Sequence, residues 1–306
     1  MRKRDFYHTG LQVSRTDLKQ ITAPNPTGAN DYYVDGNVGA TGSGDKDYPF
    51  STLAEAIAAS NASIALGTNR WWARRNRIFC MGDTLTEDLT QLPTKCDVVG
   101  VGSYDGYSKC GLYGHHSTAL EAYGVRWFNM HFKAKAHASA VFTMAGATGA
   151  SGQQFHGCTA DATLGTVTSF ILATAMPFLV VDDCDFMGTF ATSYISFGAG
   201  EAGGARITNN RMLGTAAKGI ITAGTTTASW KPIIEGNTIQ ATGLIVDDDG
   251  NIFFGANNML ITDADPGADS LGAMDVTAAN WIGNKLTSTA GTERNADYPF
   301  PVQFTS

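Results

Sequence analysis

Ala205-Arg206-Ile207-Thr208-Asn209-Asn210-Arg211-Met212 contains the pattern on which the reading of this chain turns: a short apolar run, a small polar residue, any residue, then an apolar one. The closing triplet, Asn210-Arg211-Met212, returns along the chain. It appears as Cys158-Thr159-Ala160, Cys184-Asp185-Phe186, Asn237-Thr238-Ile239, Asn258-Met259-Leu260 and Asn284-Lys285-Leu286, and successive members of the six lie 26, 26, 27, 21 and 26 residues apart. Met130-His131-Phe132, 28 residues before Cys158, is a looser member. Near-constant spacing of this size marks a repeat architecture.

Each unit is β-rich. Apolar residues alternate over only a few positions and are then cut by Gly, Asn, Asp or Thr, so no helical period develops. A βαβ protein would need helical crossovers of about a dozen residues, and propeller blades need repeats of roughly 40–50. What remains is an all-β, single-stranded parallel β-helix in which each unit is one coil and like residues stack at about 4.8 Å. The reading predicts nine or ten coils. Cys158, Cys184, Asn210, Asn237, Asn258 and Asn284 would form an internal ladder, with Asn side chains bonding backbone at a bend that needs a polar residue tolerant of the left-handed region.

Composition agrees. The 35 Gly suit many tight turns, and 43 % hydrophobic residues suffice for a core, while charged residues make up only 16 %. The net charge of −7 is unevenly spread: residues 1–150 hold 15 Lys+Arg against 13 Asp+Glu, and residues 151–306 hold 6 against 15. The acidic second half argues against nucleic-acid binding, which needs a basic track, and leaves room for a divalent cation such as calcium. The five Cys (80, 96, 110, 158 and 184) sit within or beside apolar runs without zinc-site spacing, and read as small buried thiols more than as a disulfide framework. No apolar run has signal-peptide or membrane-spanning length. The expectation is therefore a protein made in a cytoplasm, with no membrane partner.

The chain divides on composition into an N-terminal arm (1–30), an entry strand with a capping helix (31–66), the β-helix (67–289) and a tail (290–306). In the entry segment, Asp31-Tyr32-Tyr33-Val34-Asp35 reads as a strand, followed by a glycine-rich loop. Thr52 and Glu55 form a capping box for a short helix with Leu53, Ala56 and Ile57 on one face. Laid over the first coil, that helix would cover an otherwise unpaired edge. Arg70-Trp71-Trp72-Ala73-Arg74-Arg75-Asn76-Arg77 reads as Trp over the end of the core with solvated Arg, and His115-His116 reads as a surface turn.

This order, with its strand, glycine-rich loop, Tyr48-Pro49-Phe50-Ser51-Thr52-Leu53, small helix and Asn-laddered coils, resembles right-handed parallel β-helix proteins of the pectate-lyase-like class. In particular it is similar to those that tailed bacteriophages carry as tailspikes and head-surface proteins. The resemblance covers residues 31–290. It implies a homotrimer on a virion surface, in contact with other virion proteins such as the major capsid protein and with cell-surface polysaccharide.

A lyase of this class needs carboxylates to hold calcium and a Lys or Arg base, and a hydrolase needs two carboxylates at defined separation. Asp182, Asp183 and Asp185 form one acidic cluster and Asp247, Asp248 and Asp249 another, the latter a candidate calcium site. Arg206, Arg211 and Lys218 follow the first cluster, and Glu201 and Glu235 are further carboxylates. Alternation puts Asp183 on the opposite face from Asp182. Asp182, Asp185, Arg206 and Glu235 are thus the catalytic candidates, although none sits in a recognisable catalytic motif. Two function classes follow: a non-enzymatic virion decoration or spike, preferred here, and an enzyme cleaving acidic polysaccharide.

Overall fold

The computed structural model describes residues 29–65, 75–82, 84–102, 110–117, 122–135, 139–144, 150–173, 176–197, 203–221, 232–242, 246–247, 254–262, 281–282 and 285–288. They form a parallel β-solenoid with one helix.

The first sheet has ten strands, every one parallel to its neighbours: Asp31–Asp35, Asn76–Met81, Cys96–Gly100, Arg126–Phe128, Gln154–His156, Val180–Asp182, Arg206–Thr208, Ile233–Glu235, Phe254–Ala256 and Trp281–Ile282. Each pairs in register with the strand one coil away, so that Gln154, Val180, Arg206 and Ile233 line up, as do His156, Asp182, Thr208 and Glu235. The second sheet carries the residues that follow each ladder position, from Thr84–Thr86 to Lys285–Ser288. A third face is built by His116–Ser117, Phe142–Met144, Ile171–Ala173, the ends of Asp185–Phe197 and Thr215–Ile221, and Val246–Asp247. From His116–Ser117 to Val246–Asp247 this face closes about five turns, which corrects the expected nine or ten coils. The shortfall arises because the coils outside this span carry strands on two faces at most among the described residues.

Alternation decides which side of each rung is core. Ile78, Val98, Trp127, Phe155, Val181, Ile207 and Ile234, the central residues of successive first-sheet strands, have no exposed surface and belong to one continuous core. Aromatic rings fill the middle coils: Phe132 and Phe142 meet edge-on at 5.0 Å, and Phe142 and Phe155 at 5.2 Å. Such contacts add to plain area burial.

Two columns of left-handed residues bracket the first sheet and turn the chain at its corners. One or two residues before the strand stand Lys95 (φ 46°), Gly124 (59°), Gly152 (68°), Phe178 (62°) and Gly204 (69°); just after it stand Asn129 (54°), Gly157 (58°), Asp183 (54°), Asn209 (57°), Gly236 (67°) and Asn257 (54°). The left-handed position is therefore the residue immediately before each ladder member from Cys158 to Asn258. The ladder Asn and Cys do not occupy it, contrary to the reading from sequence. Asp183 likewise sits in the turn, outside the strand alternation that was expected to set its face.

The helix Leu53–Ala65 lies at the N-terminal end, with Leu53, Ala56 and Ile57 buried in the same core as Val34 and Leu85. Its capping box forms: the Glu55 N–H donates to Thr52 Oγ1 (3.3 Å) and the Thr52 N–H to Glu55 Oε2 (3.2 Å). Glu87, from the coil below, accepts the next free N–H groups, those of Leu53 (2.7 Å) and Ala54 (2.9 Å), so a single carboxylate ties the cap to the solenoid.

Two surface expectations are corrected. His116 is buried on the third face, its ring 4.9 Å from that of Phe142, because the strand turns it inward beside an aromatic neighbour. Arg77 is 6 % exposed, since it pairs in bidentate fashion with Asp31 at 2.6 Å through both Nε and Nη2. Asp97, also buried, accepts from Arg75 Nη1 (2.8 Å) and from Arg126 Nε (2.7 Å) and Nη2 (2.5 Å). Acids and bases thus alternate along one outward column of the first sheet: Asp31, Arg77, Asp97, Arg126. Residues 1–28, 66–74 and 289–306, which include the arm, the Trp pair and the tail, lie outside the described residues.

Candidate functional site

The ladder is the best-defined polar constellation, and it is built from backbone bonds one coil apart. Asn210 is held by Asn237, whose Oδ1 accepts both its N–H and its Nδ2, each at 2.9 Å; Asn237 is held in the same way by Asn258, at 3.0 and 2.9 Å. Looking the other way along the axis, the Nδ2 groups of Asn210, Asn237 and Asn258 donate to the carbonyls of Val181, Ile207 and Ile234 at 2.8–2.9 Å. All three Asn are at most 2 % exposed.

The cysteines imitate half of this. Cys184 Sγ donates to the Phe155 carbonyl (3.6 Å) and Cys158 Sγ to the Trp127 carbonyl (3.5 Å), where an Asn amide would otherwise reach, and the Cys184 N–H donates to Asn210 Oδ1 (3.0 Å). A thiol is a weak donor and a weak acceptor, so the ladder passes from Cys184 to Cys158 only through weaker bonds. Cys110, just before Gly111, occupies the equivalent position two coils earlier and reaches the Met81 carbonyl at 3.8 Å. The sequence pattern missed Cys110; Asn284 lies outside the described residues.

The catalytic candidates are dispersed by the fold. Asp182 faces outward from the first sheet, with its Oδ1 accepting from Thr208 Oγ1 (2.6 Å) and Asn209 Nδ2 (2.9 Å) of the next coil. His156 Nδ1 of the preceding coil stands 3.8 Å from Oδ2. Burial alone would raise the Asp182 pKa, but the contacts from His156, Thr208 and Asn209 outweigh it and bring it to about 2. Such a carboxylate stays ionised near neutrality and cannot serve as a general acid.

Glu235 shares the Asp182 column but lies two rungs away, roughly 10 Å at the strand spacing. That backbone separation is well beyond the ~5–5.5 Å between the carboxyls of retaining glycosidases and close to the upper limit of about 9.5 Å for inverting ones. Arg206 stands in the other outward column, between Val180 and Ile233. Asp185 opens a second-sheet strand and pairs with Arg211 (2.8 Å), both well exposed. Asp247 belongs to the third face, in register with Ile221, and is thus on a different face from Asp182. Asp248, Asp249 and Glu201 lie outside the described residues. Among the described residues no group of three or more His, Cys, Asp or Glu is placed to hold a metal ion.

A buried histidine–carboxylate pair also went unnoticed in the sequence. His131 and Asp161 meet on the outer side of the second sheet at 3.0 Å, both buried, across a diagonal between neighbouring strands in which Thr159 pairs with His131 and Asp161 with Lys133. Asp161 also accepts from the Thr163 N–H (2.9 Å) and Oγ1 (2.5 Å). Burial opposes ionisation, yet these bonds from His131 and Thr163 prevail and lower the Asp161 pKa to about 2. In the same face Lys133 Nζ donates to Thr84 Oγ1 (2.9 Å), so a basic side chain ties together coils two rungs apart.

Compared with protein families, with characterised proteins and with solved structures, the chain matches none. No helix among the described residues is long and apolar enough to cross a membrane.

Proposed function

We propose that this protein is a non-enzymatic structural component of a bacteriophage particle. In this reading it is a right-handed β-helical decoration or spike of pectate-lyase-like type, made in the host cytoplasm and displayed on the virion surface as a homotrimer. It would seat on other virion proteins such as the major capsid protein and present its body to cell-surface polysaccharide.

The observation that supports the structural reading is the use to which the candidate acids are put. Asp182 is engaged by Thr208 and Asn209, and Asp185 by Arg211, each bond joining one coil to the next. Carboxylates committed in this way stiffen a shaft. The assembly and its location are carried by the resemblance of residues 31–290.

The test is to image the particles that carry the protein by electron cryo-microscopy and, in parallel, to incubate the purified protein with acidic polysaccharides. Three-fold copies seated on a particle lattice, with the polysaccharide left intact, would support the proposal. A soluble monomer that releases unsaturated uronate ends, and loses that activity on Asp182→Asn, would sink it in favour of a lyase.

A further inference from the structure

We propose that Cys158 and Cys184 form an oxidative modification site, at which a peroxide converts two ladder thiols into a covalent staple between neighbouring coils. The two residues occupy one position on successive rungs. Thr159 pairs with Asp185, and the Asp185 N–H donates to the Cys158 carbonyl at 3.0 Å. Neighbouring strands are about 4.8 Å apart, inside the Cα window of roughly 4.4–6.8 Å that a disulfide requires. The side chains run in the same direction, since each Sγ reaches a carbonyl of the coil before it, Trp127 at 3.5 Å and Phe155 at 3.6 Å.

Neither cysteine is in a disulfide, and both are 2 % exposed. Burial first, and then the Cys158 thiol beside it, push the Cys184 pKa upward. Thiols held protonated are poor nucleophiles, so the pair is inert in the closed fold and reacts through local opening. A small oxidant suits such a site better than a bulky disulfide, which would leave a mixed adduct that the core has no room for.

The reaction balances in two steps. One thiol takes an oxygen from hydrogen peroxide, becoming a sulfenic acid and releasing water. The second sulfur then attacks the first, the S–O bond breaks, and a second water leaves with the remaining thiol protons. Two sulfurs are each oxidised by one electron and one peroxide is reduced to two waters. The staple closes at the expense of the weak S–H contacts to Trp127 and Phe155.

The experiment is to treat the intact folded chain with hydrogen peroxide, block the remaining thiols, and map peptides by mass spectrometry without reduction. The expected result is one cross-linked species joining the Cys158 and Cys184 peptides, lighter by two hydrogens. The treated protein should also show a higher urea midpoint that falls back on adding a reductant. With Cys158→Ala the midpoint shift should vanish; the mapping of the unaltered chain stands whether or not that variant folds. The proposal is overturned if Cys158 and Cys184 end as unmodified thiols or as sulfinic acids, if the link joins any other pair of cysteines instead, or if it forms only in denaturant.

Discussion

Asn237 Oδ1 accepts two hydrogen bonds from the same partner, the N–H and the Nδ2 of Asn210, each at 2.9 Å. One side-chain oxygen therefore satisfies a buried backbone donor and fixes the orientation of the next amide, which passes the arrangement along the axis. Replacing Asn237 with Ala strips two donors of Asn210 and the Ile207 carbonyl of their partner at once. With roughly 1–3 kcal/mol for each buried group left unsatisfied and partial relaxation, Asn237→Ala should cost about 2–4 kcal/mol. Urea unfolding followed by circular dichroism measures it; a loss below about 1 kcal/mol would show that the ladder is not a source of stability.

The ladder could be found in the sequence because its members recur near the coil length and are chemically conspicuous. Cys110 escaped for the converse reason: it stands only 20 residues before Met130, itself a loose member with no polar signature. The left-handed columns escaped too, since Lys95 and Phe178 occupy positions where glycine would have announced the turn. A strand such as Asp31–Asp35 could be read from its local run of aromatic and β-branched residues. Contacts between coils could not, because their separations depend on loop lengths that alternation does not constrain. Asp31 and Arg77 are 46 residues apart and His131 and Asp161 are 30 apart, and no periodicity connects either pair. The candidate site suffered most: Asp182 and Asp247 look alike in the sequence, and only the path of the coil assigns them to different faces.

Acid should weaken the fold in two stages. Burial lowers the His116 pKa from 6.5 to about 3, with the neighbouring His115 acting in the same direction. The unfolded chain therefore takes up a proton that the folded one refuses. Stability from this group is complete above pH 6.5 and falls as pH drops towards 3, by up to about 5 kcal/mol. Asp161, depressed from 3.8 to about 2, adds a loss of about 2 kcal/mol as pH drops through that interval. Urea midpoints measured from pH 7.5 to about pH 2 should decline over both windows. His116→Asn should flatten the upper window and Asp161→Asn the lower; an unchanged slope in either variant would contradict the assignment.

Gly188 tests how closely neighbouring coils approach. Its φ is +89°, and a Cβ there would lie 2.1 Å from the Ala162 carbonyl carbon, which is backbone and cannot swing away. Gly188→Ala should therefore cost at least roughly 3 kcal/mol, through strain in the left-handed region together with displacement of the Ala162 rung. Gly39→Ala is the control: a Cβ at Gly39 meets nothing within 4 Å. Thermal unfolding of the two variants side by side should separate them by at least about 5 °C if the clash cannot relax.

Glu87 tests the cap. Its two carboxylate oxygens accept the Leu53 and Ala54 N–H groups, while burial raises its pKa against the pull of those same bonds. A carboxylate here satisfies free donors at a helix start and complements the positive end of the helix dipole, although its desolvation offsets part of the gain. Glu87→Ala leaves both donors without that acceptor and should cost about 1–2 kcal/mol. Glu87→Gln keeps one oxygen acceptor and directs an NH2 group at the second donor, so it should not restore the wild-type value. The loss should appear as faster amide hydrogen exchange in residues 53–65 while the middle coils, around Phe142 and Phe155, keep their protection. Equal acceleration in the middle coils would mean that the cap and the solenoid open as one unit, and that the tether holds more than the helix.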